Sequence, residues 1–365
     1  MIAAPTFSPW TQSQGLSVAV WAALAAVAAA AAVVLLVVPP LRRLAWWTGY
    51  LDHPEARKLH VTATPLLGGV AVALGATIGA SALIAHFGLE VPRQAVWWEA
   101  GAASALLLGL WDDRFGMHPL PKLLLQVAVA GVFLAGGVYP AAGLGPWVGI
   151  PLGLLWLVAM MNAINFLDNM DGIVGGISAI LACGLGFLLF SWGHHAEAIF
   201  AFALAGAALA FLRFNFSPAS VFLGDAGSLF LGYSLGALSL LAAEGGPDIE
   251  GSVAALLILG YPVFDLSFVV VMRMREGRKI YQGGKDHTTH RLSTMIGGPR
   301  RTALGVYLWA AALTASGVGV AKSEGFWNTL PWLILWGLAL FWFGIRLARV
   351  PVRGGAAPTA QASHS

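Results

Sequence analysis

The acidic side chains of this sequence fall into short, ordered groups inside otherwise apolar stretches, and their spacing suggests what they could do. Asp112 and Asp113 are adjacent and precede Arg114. Neighbouring carboxylates repel unless a cation or a proton lies between them; the plainer alternative is a charged helix end. Asn165, Asp168 and Asp171 recur at every third residue. On a helix they form one polar stripe, and Asp171-Gly172 equally suits the start of a turn. Grouped oxygen donors of this kind suit a hard cation such as Mg²⁺, while the spacing lacks the later ligands of a calcium-binding loop. Asp225 lies in Phe222-Leu223-Gly224-Asp225-Ala226-Gly227-Ser228, at the start of an apolar run. Glycines there let backbone amides approach an anion at a helix N-terminus, or Asp225 is an N-cap.

Basic residues gather in other segments. Asp52 to His60 contains Lys58 and His60, and Lys122 follows the aspartate pair. The stretch from Arg273 to Arg301 contains Asp286-His287-Thr288-Thr289-His290-Arg291. Two histidines and an arginine suit a diphosphate, and no His-Glu-x-x-His pattern points to zinc. The bland reading of that loop is positive charge at a membrane surface. Asp265, inside an apolar run after Pro262, is a functional candidate by default, with Pro262 expected to kink its helix. Acids, amides and bases together describe a metal-assisted phosphoryl-transfer site.

The elements that carry these groups must be membrane helices. Hydrophobic residues make up 58% of the 365 and charged residues 10%, against about 25% charged in soluble domains. We read about eleven spans of roughly 20 residues, near 16–38, 66–88, 97–111, 121–139, 150–165, 173–192, 196–213, 226–243, 252–272, 302–321 and 330–346. The third and fifth are short. The fold class is therefore an all-α polytopic membrane bundle. It reads as one catalytic domain over 1–350 and a small-residue tail over 351–365 expected to be disordered. The first fifteen residues hold no Lys or Arg, so the first span reads as retained rather than cleaved. With the N-terminus periplasmic and the C-terminus cytoplasmic, nearly all Lys and Arg fall inside, and only Arg93 and Lys322 outside. The basic residues sit at span ends, which argues topology and not nucleic acid. The single cysteine, Cys183, excludes an internal disulfide and a cysteine zinc site.

The motifs, taken in order from Asp52 to Arg291, resemble the polyprenyl-phosphate N-acetylhexosamine-1-phosphate transferases of glycosyltransferase family 4. The resemblance is nearest to the undecaprenyl-phosphate GlcNAc-1-phosphate transferase branch and more distant to phospho-MurNAc-pentapeptide translocase. It rests on Asp52 to His60 with Pro65 and Gly68-Gly69, on Asp112-Asp113-Arg114, on Asn165, Asp168 and Asp171-Gly172, on Asn215, and on Phe222 to Ser228. It implies Mg²⁺ (or Mn²⁺) held by Asp225 with Asp171 and Asn165, and catalytic Asp112, Asp113, Asp168 and Asp171. It implies substrate binding by Lys58, His60, Lys122, Asn165, Asn215, Phe222, His287, His290 and Arg291, with Phe222 stacking on uracil. Family accounts differ on whether Asp112 acts as a base toward the lipid phosphate or orients it. The implied partners are a UDP-N-acetylhexosamine, with UDP-GlcNAc first, undecaprenyl phosphate and the bilayer; a homodimer is compatible. The implied place is the bacterial inner membrane, with the site on its cytoplasmic face and a role in starting cell-envelope glycan assembly. Thr289 stands where relatives carry a middle histidine. A peptidoglycan-precursor transferase and an ion-coupled transporter using Asp265 are the alternatives. The CDP-alcohol class fails because Asp171-Gly172 is followed by Ile-Val-Gly-Gly.

Overall fold

In a computed structural model, residues 15–53, 63–140, 145–246, 248–281, 284–323 and 325–351 are described. The segment with Lys58 and His60, and the tail beyond 351, lie outside the described residues. Each apolar run becomes a helix, because backbone polar groups away from water must pair within their own segment. The helices are α1 (Gly15–Thr48), α2 (Gly68–His86), α3 (Ala95–Phe115), α4 (Pro119–Leu134), α5 (Pro146–Leu167), α6 (Ile173–Ser191), α7 (His195–Asn215), α8 (Gly224–Gly245), α9 (Asp248–Ile258), α10 (Gly260–Arg275), α11 (Thr288–Ile296), α12 (Pro299–Val320) and α13 (Phe326–Ala348). A two-residue antiparallel pair, β1 (Leu51–Asp52) and β2 (Thr64–Pro65), closes the loop between α1 and α2.

Among the described residues, eight helices are long and apolar enough to cross a membrane, and α9 with α10 makes a ninth if their 67° bend interrupts one span. All eleven expected segments coincide with helix. The third and fifth are not short, since α3 has 21 residues and α5 has 22. The short one is α4, with 16. The α9/α10 break falls at Leu259, upstream of Pro262. Pro262 lies in the first turn of α10, where its missing N–H breaks no bond of the helix, so the expected proline kink is corrected to a broken helix.

α8 lies at the centre, buried along nearly its whole length against α2, α3, α5, α6 and α9. Glycine allows the closest of these approaches. A Cβ on Gly109 of α3 would run into the backbone of Asp225 and Ala226, and one on Gly69 of α2 into Gly227. Both approaches lie at the start of α8, which is where the acidic motifs meet.

Candidate active site

Alternating helix directions bring the C-terminal ends of α3, α5 and α7 and the N-terminal ends of α4, α6 and α8 to one end of the bundle. The site is built there from the Lys122 ammonium outward. Lys122 Nζ lies 2.6 Å from Asp112 Oδ2 and 3.1 Å from Asp225 Oδ2, and donates to Asn165 Oδ1 at 3.4 Å. Asn165 Nδ2 donates to Asp225 Oδ1 at 2.5 Å and to Ser228 Oγ at 2.9 Å. The other oxygen of Asp112 accepts the Met117 amide at 2.6 Å, fixing the carboxylate against the turn after α3. Three separate helices thus place two carboxylates and one amide oxygen around a positive charge carried by a fourth.

Asp113 serves a different purpose from its neighbour. Its two oxygens accept the backbone amides of Asp225 and Ala226 at 2.7 and 3.0 Å. It therefore caps the N-terminus of α8 from another helix, satisfying donors that have no partner within α8. Gly224, with φ +74°, makes the turn that exposes them.

The stripe expected for Asn165, Asp168 and Asp171 is not helical. α5 ends at Leu167, Asp168 is its C-cap, and Gly172 at φ +80° begins α6. The turn reading is the correct one. Asp171 accepts the Ala219 amide at 2.9 Å. Asp168 lies within electrostatic reach of Asp225, Asp113, Asp171 and Asp52. Asn215 is buried and spans two loops: it accepts the Gly172 amide at 3.0 Å and donates to Val221 O at 3.1 Å. Its amide ties the two loops together, a structural task beside the expected contact with nucleotide. Phe222 is half-buried and joins β2 to α2 through its backbone, its N–H donating to Pro65 O and its carbonyl accepting from Gly68.

The histidine motif forms α11 and the residue before it. Asp265 is fully buried and accepts from the Thr288 amide at 2.9 Å and the Thr288 hydroxyl at 2.5 Å, and its other oxygen lies 3.1 Å from His287 Nδ1. Tyr261 completes the contact with Thr288. Asp265 thus caps α11 and orients His287, so both its oxygens are engaged; a transmembrane relay has no support at this residue. Thr289, in place of a histidine, donates to Asn169 Oδ1 at 2.7 Å and joins α11 to the turn after α5. His290 is half-buried beside His287. Burial, then the neighbouring His287 and Lys285 charges, push its pKa down to about 4.

Arg291 is placed elsewhere. Its guanidinium donates to Leu347 O, Ala348 O and Val350 O at 3.2, 3.4 and 2.8 Å and lies over the Phe268 ring. It closes the C-terminal end of α13, where unpaired carbonyls favour a cation. The carbonyls, and not the Lys122 cluster, are the partners of its guanidinium. Arg273 and Arg278 converge on Asp286 at 2.8 and 2.7 Å, and Arg273 also reaches the Ile280 carbonyl. Burial alone would raise the Asp286 pKa, but hydrogen bonds and charge from these two arginines hold the carboxyl well below its usual range.

Among the described residues, no three His, Cys, Asp or Glu side chains stand close enough to cage a metal alone. Magnesium does not require such a cage: it is commonly held by one or two carboxylates together with water and substrate phosphates. The oxygens of Asp112, Asp225 and Asn165 gathered around Lys122 form a donor set of that kind.

The family model described as "Glycosyl transferase family 4" matches residues 96–243. The chain is 31% identical over 299 residues, 80% of its length and 82% of the relative's, to a "Probable undecaprenyl-phosphate N-acetylglucosaminyl 1-phosphate transferase" of Bacillus subtilis (strain 168). The chain belongs to glycosyl transferase family 4. It is also similar to a "Decaprenyl-phosphate N-acetylglucosaminephosphotransferase" of Mycobacterium tuberculosis (strain ATCC 25618 / H37Rv), at 33% identity over 74% of this chain and 75% of that one. An "Undecaprenyl-phosphate alpha-N-acetylglucosaminyl 1-phosphate transferase" of Escherichia coli (strain K12) is 29% identical over 84% and 86%. The family match runs from α3 into α8 and contains the whole Lys122 cluster, while His287 and His290 lie beyond it.

Sequence reasoning missed several members of this site. Ser228 closes the Phe222 to Ser228 motif and Asn169 lies between Asp168 and Asp171, but nothing in their spacing showed their partners. Gln126 and Asn162 pair one turn below Lys122 and Asn165, with Asn162 Nδ2 donating to Gln126 Oε1 at 2.7 Å. Tyr307 of α12 donates to Gly172 O at 2.5 Å. The one available signal was helical spacing: Gln126 is four residues from Lys122, and Asn162 three from Asn165.

Proposed function

We propose that this family member transfers N-acetylhexosamine-1-phosphate, with GlcNAc-1-phosphate as first choice, from a UDP-sugar to undecaprenyl phosphate, releasing UMP. The observation that carries this reading is the meeting of Asp112, Asn165 and Asp225 around Lys122 at one end of an apolar bundle. The names of the relatives support the substrate class.

In the proposed reaction an oxygen of the lipid phosphate attacks the β-phosphorus of the UDP-sugar. The bond from that phosphorus to the oxygen bridging to the α-phosphate breaks, and UMP leaves with the electron pair. Both reactants are anions, so catalysis is mainly positioning and charge stabilisation. Lys122 would exchange its carboxylate partners for phosphate oxygens. Asp113 would hold the first turn of α8, so that Asp225 stays aimed into the site. His287, oriented by Asp265, and His290 would donate to the diphosphate. Burial lowers the His290 pKa and favours its neutral form, and a bound anion would favour its proton. Asp225, with Asp112, Asn165 and Asp171, would hold Mg²⁺, with Mn²⁺ as the alternative. When bound, this ion supplies the positive charge that offsets repulsion between the two substrates.

The site is proposed to face the cytoplasm of a bacterial inner membrane, where the soluble UDP-sugar is available, and to start cell-envelope glycan assembly. The test is purified protein with undecaprenyl phosphate and a panel of UDP-N-acetylhexosamines, with UMP release measured with Mg²⁺, with Mn²⁺ and with chelator. UMP release from UDP-GlcNAc that requires both metal and lipid phosphate is expected. Absence of UMP with every donor would reject the reading.

A further inference from the structure

Thr289 and Asn169 lie 120 residues apart in the chain, yet a 2.7 Å hydrogen bond from the Thr289 hydroxyl to Asn169 Oδ1 joins them. Thr289 stands between His287 and His290, and Asn169 between Asp168 and Asp171. The bond therefore ties the centre of the histidine motif to the centre of the carboxylate turn. Thr289 is fully buried, so its hydroxyl depends on a protein partner rather than on water. The Asn169 amide nitrogen is engaged as well, donating to Phe166 O at 2.7 Å. The oxygen that Thr289 meets thus belongs to a side chain already held in place.

The main supports of α11 lead away from the carboxylates. It packs against α10, α12 and α13, and none of these carries Asp112, Asp168, Asp171 or Asp225. Asp265 of α10 caps α11 and aims the His287 ring, which sets the ring's direction but not its distance from the turn. Toward the turn and the end of α5, the described residues provide one hydrogen bond, from Thr289, and one aromatic contact. That contact sets Phe166 edge-to-face with His287 at 5.9 Å between ring centroids. Two rings in contact can slide, whereas a hydrogen bond fixes both a distance and a direction.

We propose that Thr289 is a positioning residue for the diphosphate of the sugar nucleotide: its hydroxyl holds α11 on the carboxylate turn, so that His287 and His290 reach the bound diphosphate. This inference rests on the proposed role of those two histidines as diphosphate donors. Thr289 itself touches no substrate, and it acts without charge at the place where the resembled motif has a titratable histidine. Loss of the hydroxyl leaves Asn169 Oδ1 without its donor and lets α11 drift, and a misplacement of about 1 Å is enough to weaken a positioned interaction severely. The Lys122 cluster is built on α3, α4, α5 and α8 and does not use this bond. The effect therefore falls on the UDP-sugar and spares the lipid phosphate.

The test is steady-state UMP release by the full-length protein, varying UDP-GlcNAc and undecaprenyl phosphate in turn. Thr289→Val keeps the side-chain shape and removes the hydroxyl. It is expected to raise KM for UDP-GlcNAc about tenfold, the scale of a lost buried hydrogen bond, with kcat and KM for undecaprenyl phosphate within about twofold of the parent. Thr289→Ser keeps the hydroxyl and is expected to restore the parent's KM. Asn169→Ala removes the acceptor from the other side and is expected to raise the same KM; combined with Thr289→Val it should add nothing, because both act through one bond. A purely structural role would instead lower the thermal midpoint and the active fraction and leave both KM values at the parent's. With an active parent, an unchanged KM for UDP-GlcNAc in Thr289→Val would overturn the proposal and leave the reaction standing. If Thr289→Val does not fold, the same reading of Asn169→Ala decides. A parent that releases no UMP with any donor would reject the reaction and this inference together.

Discussion

Asp112 and Asp113 are adjacent in the chain, yet their side chains serve different ends. Asp112 faces Lys122 and the open site, whereas Asp113 is spent on the amides of Asp225 and Ala226. Substitution should therefore separate them. Asp113→Ala is expected to lower stability by about 1–2 kcal/mol, as loss of an N-cap does, and to lower activity through displacement of Asp225. Asp225→Asn is expected to leave the thermal midpoint near that of the parent and to reduce metal-dependent UMP release by at least about a hundredfold. Thermal unfolding and UMP assays on the same preparations check both; near-normal turnover by Asp225→Asn would remove it from the proposed metal site. His290 makes a pH prediction. Its folded pKa is about 4, below the roughly 6.5 of an unfolded histidine. Between these values the unfolded chain binds a proton that the folded chain does not, so stability falls as pH falls through that window. The thermal midpoint of the parent should drop more between pH 6.5 and pH 4 than that of His290→Asn.

At the scale of elements, the site depends on how closely α3 and α8 approach and on how α11 is held. Gly109 lies against the backbone of Asp225 and Ala226, so Gly109→Val must push the helices apart. The expected result is a protein that inserts in the membrane with activity and thermal midpoint both reduced; a fully active variant would show that the contact does not set the site's geometry. Asp265 is the corresponding support for α11. Asp265→Ala leaves the Thr288 amide and hydroxyl without their buried acceptor, at a cost of about 1–3 kcal/mol, and frees His287. Activity should fall mainly through a raised KM for the UDP-sugar, because the proposed diphosphate donor His287 loses its orientation while the Lys122 cluster stays intact.

Across the whole molecule, charge and apolar length decide how the bundle sits in lipid. The proposed orientation puts Lys285 on the cytoplasmic face and Arg93 on the other. With Cys183 as the single native thiol, a Cys183→Ser background makes this readable. Lys285→Cys should react with an impermeant maleimide only after the membrane is opened, and Arg93→Cys in intact spheroplasts. The reverse pattern would invert the topology and move the site to the outer face.

The sequence alone determined that the chain is a helical membrane bundle. Backbone pairing in lipid leaves a long apolar run little choice but helix, and each expected span coincided with helix, the one at 252–272 with the bent pair α9 and α10. It also singled out Asp112, Lys122 and Asp225, which meet in the fold, because charged side chains inside apolar text are rare enough to stand out. It did not determine partners. Whether Asp113 meets a metal or a helix end depends on the approach of α8, a helix more than a hundred residues away in the chain. Arg291 belongs to the motif by its neighbours in sequence, yet packing of α13 sends it to the carbonyls after Leu347. Asp265 stood out by its apolar setting, and only the fold of α11 back onto α10 gave it a hydrogen-bonding task. Local patterns report what each residue costs to bury. Which neighbour offsets that cost is decided when distant helices meet.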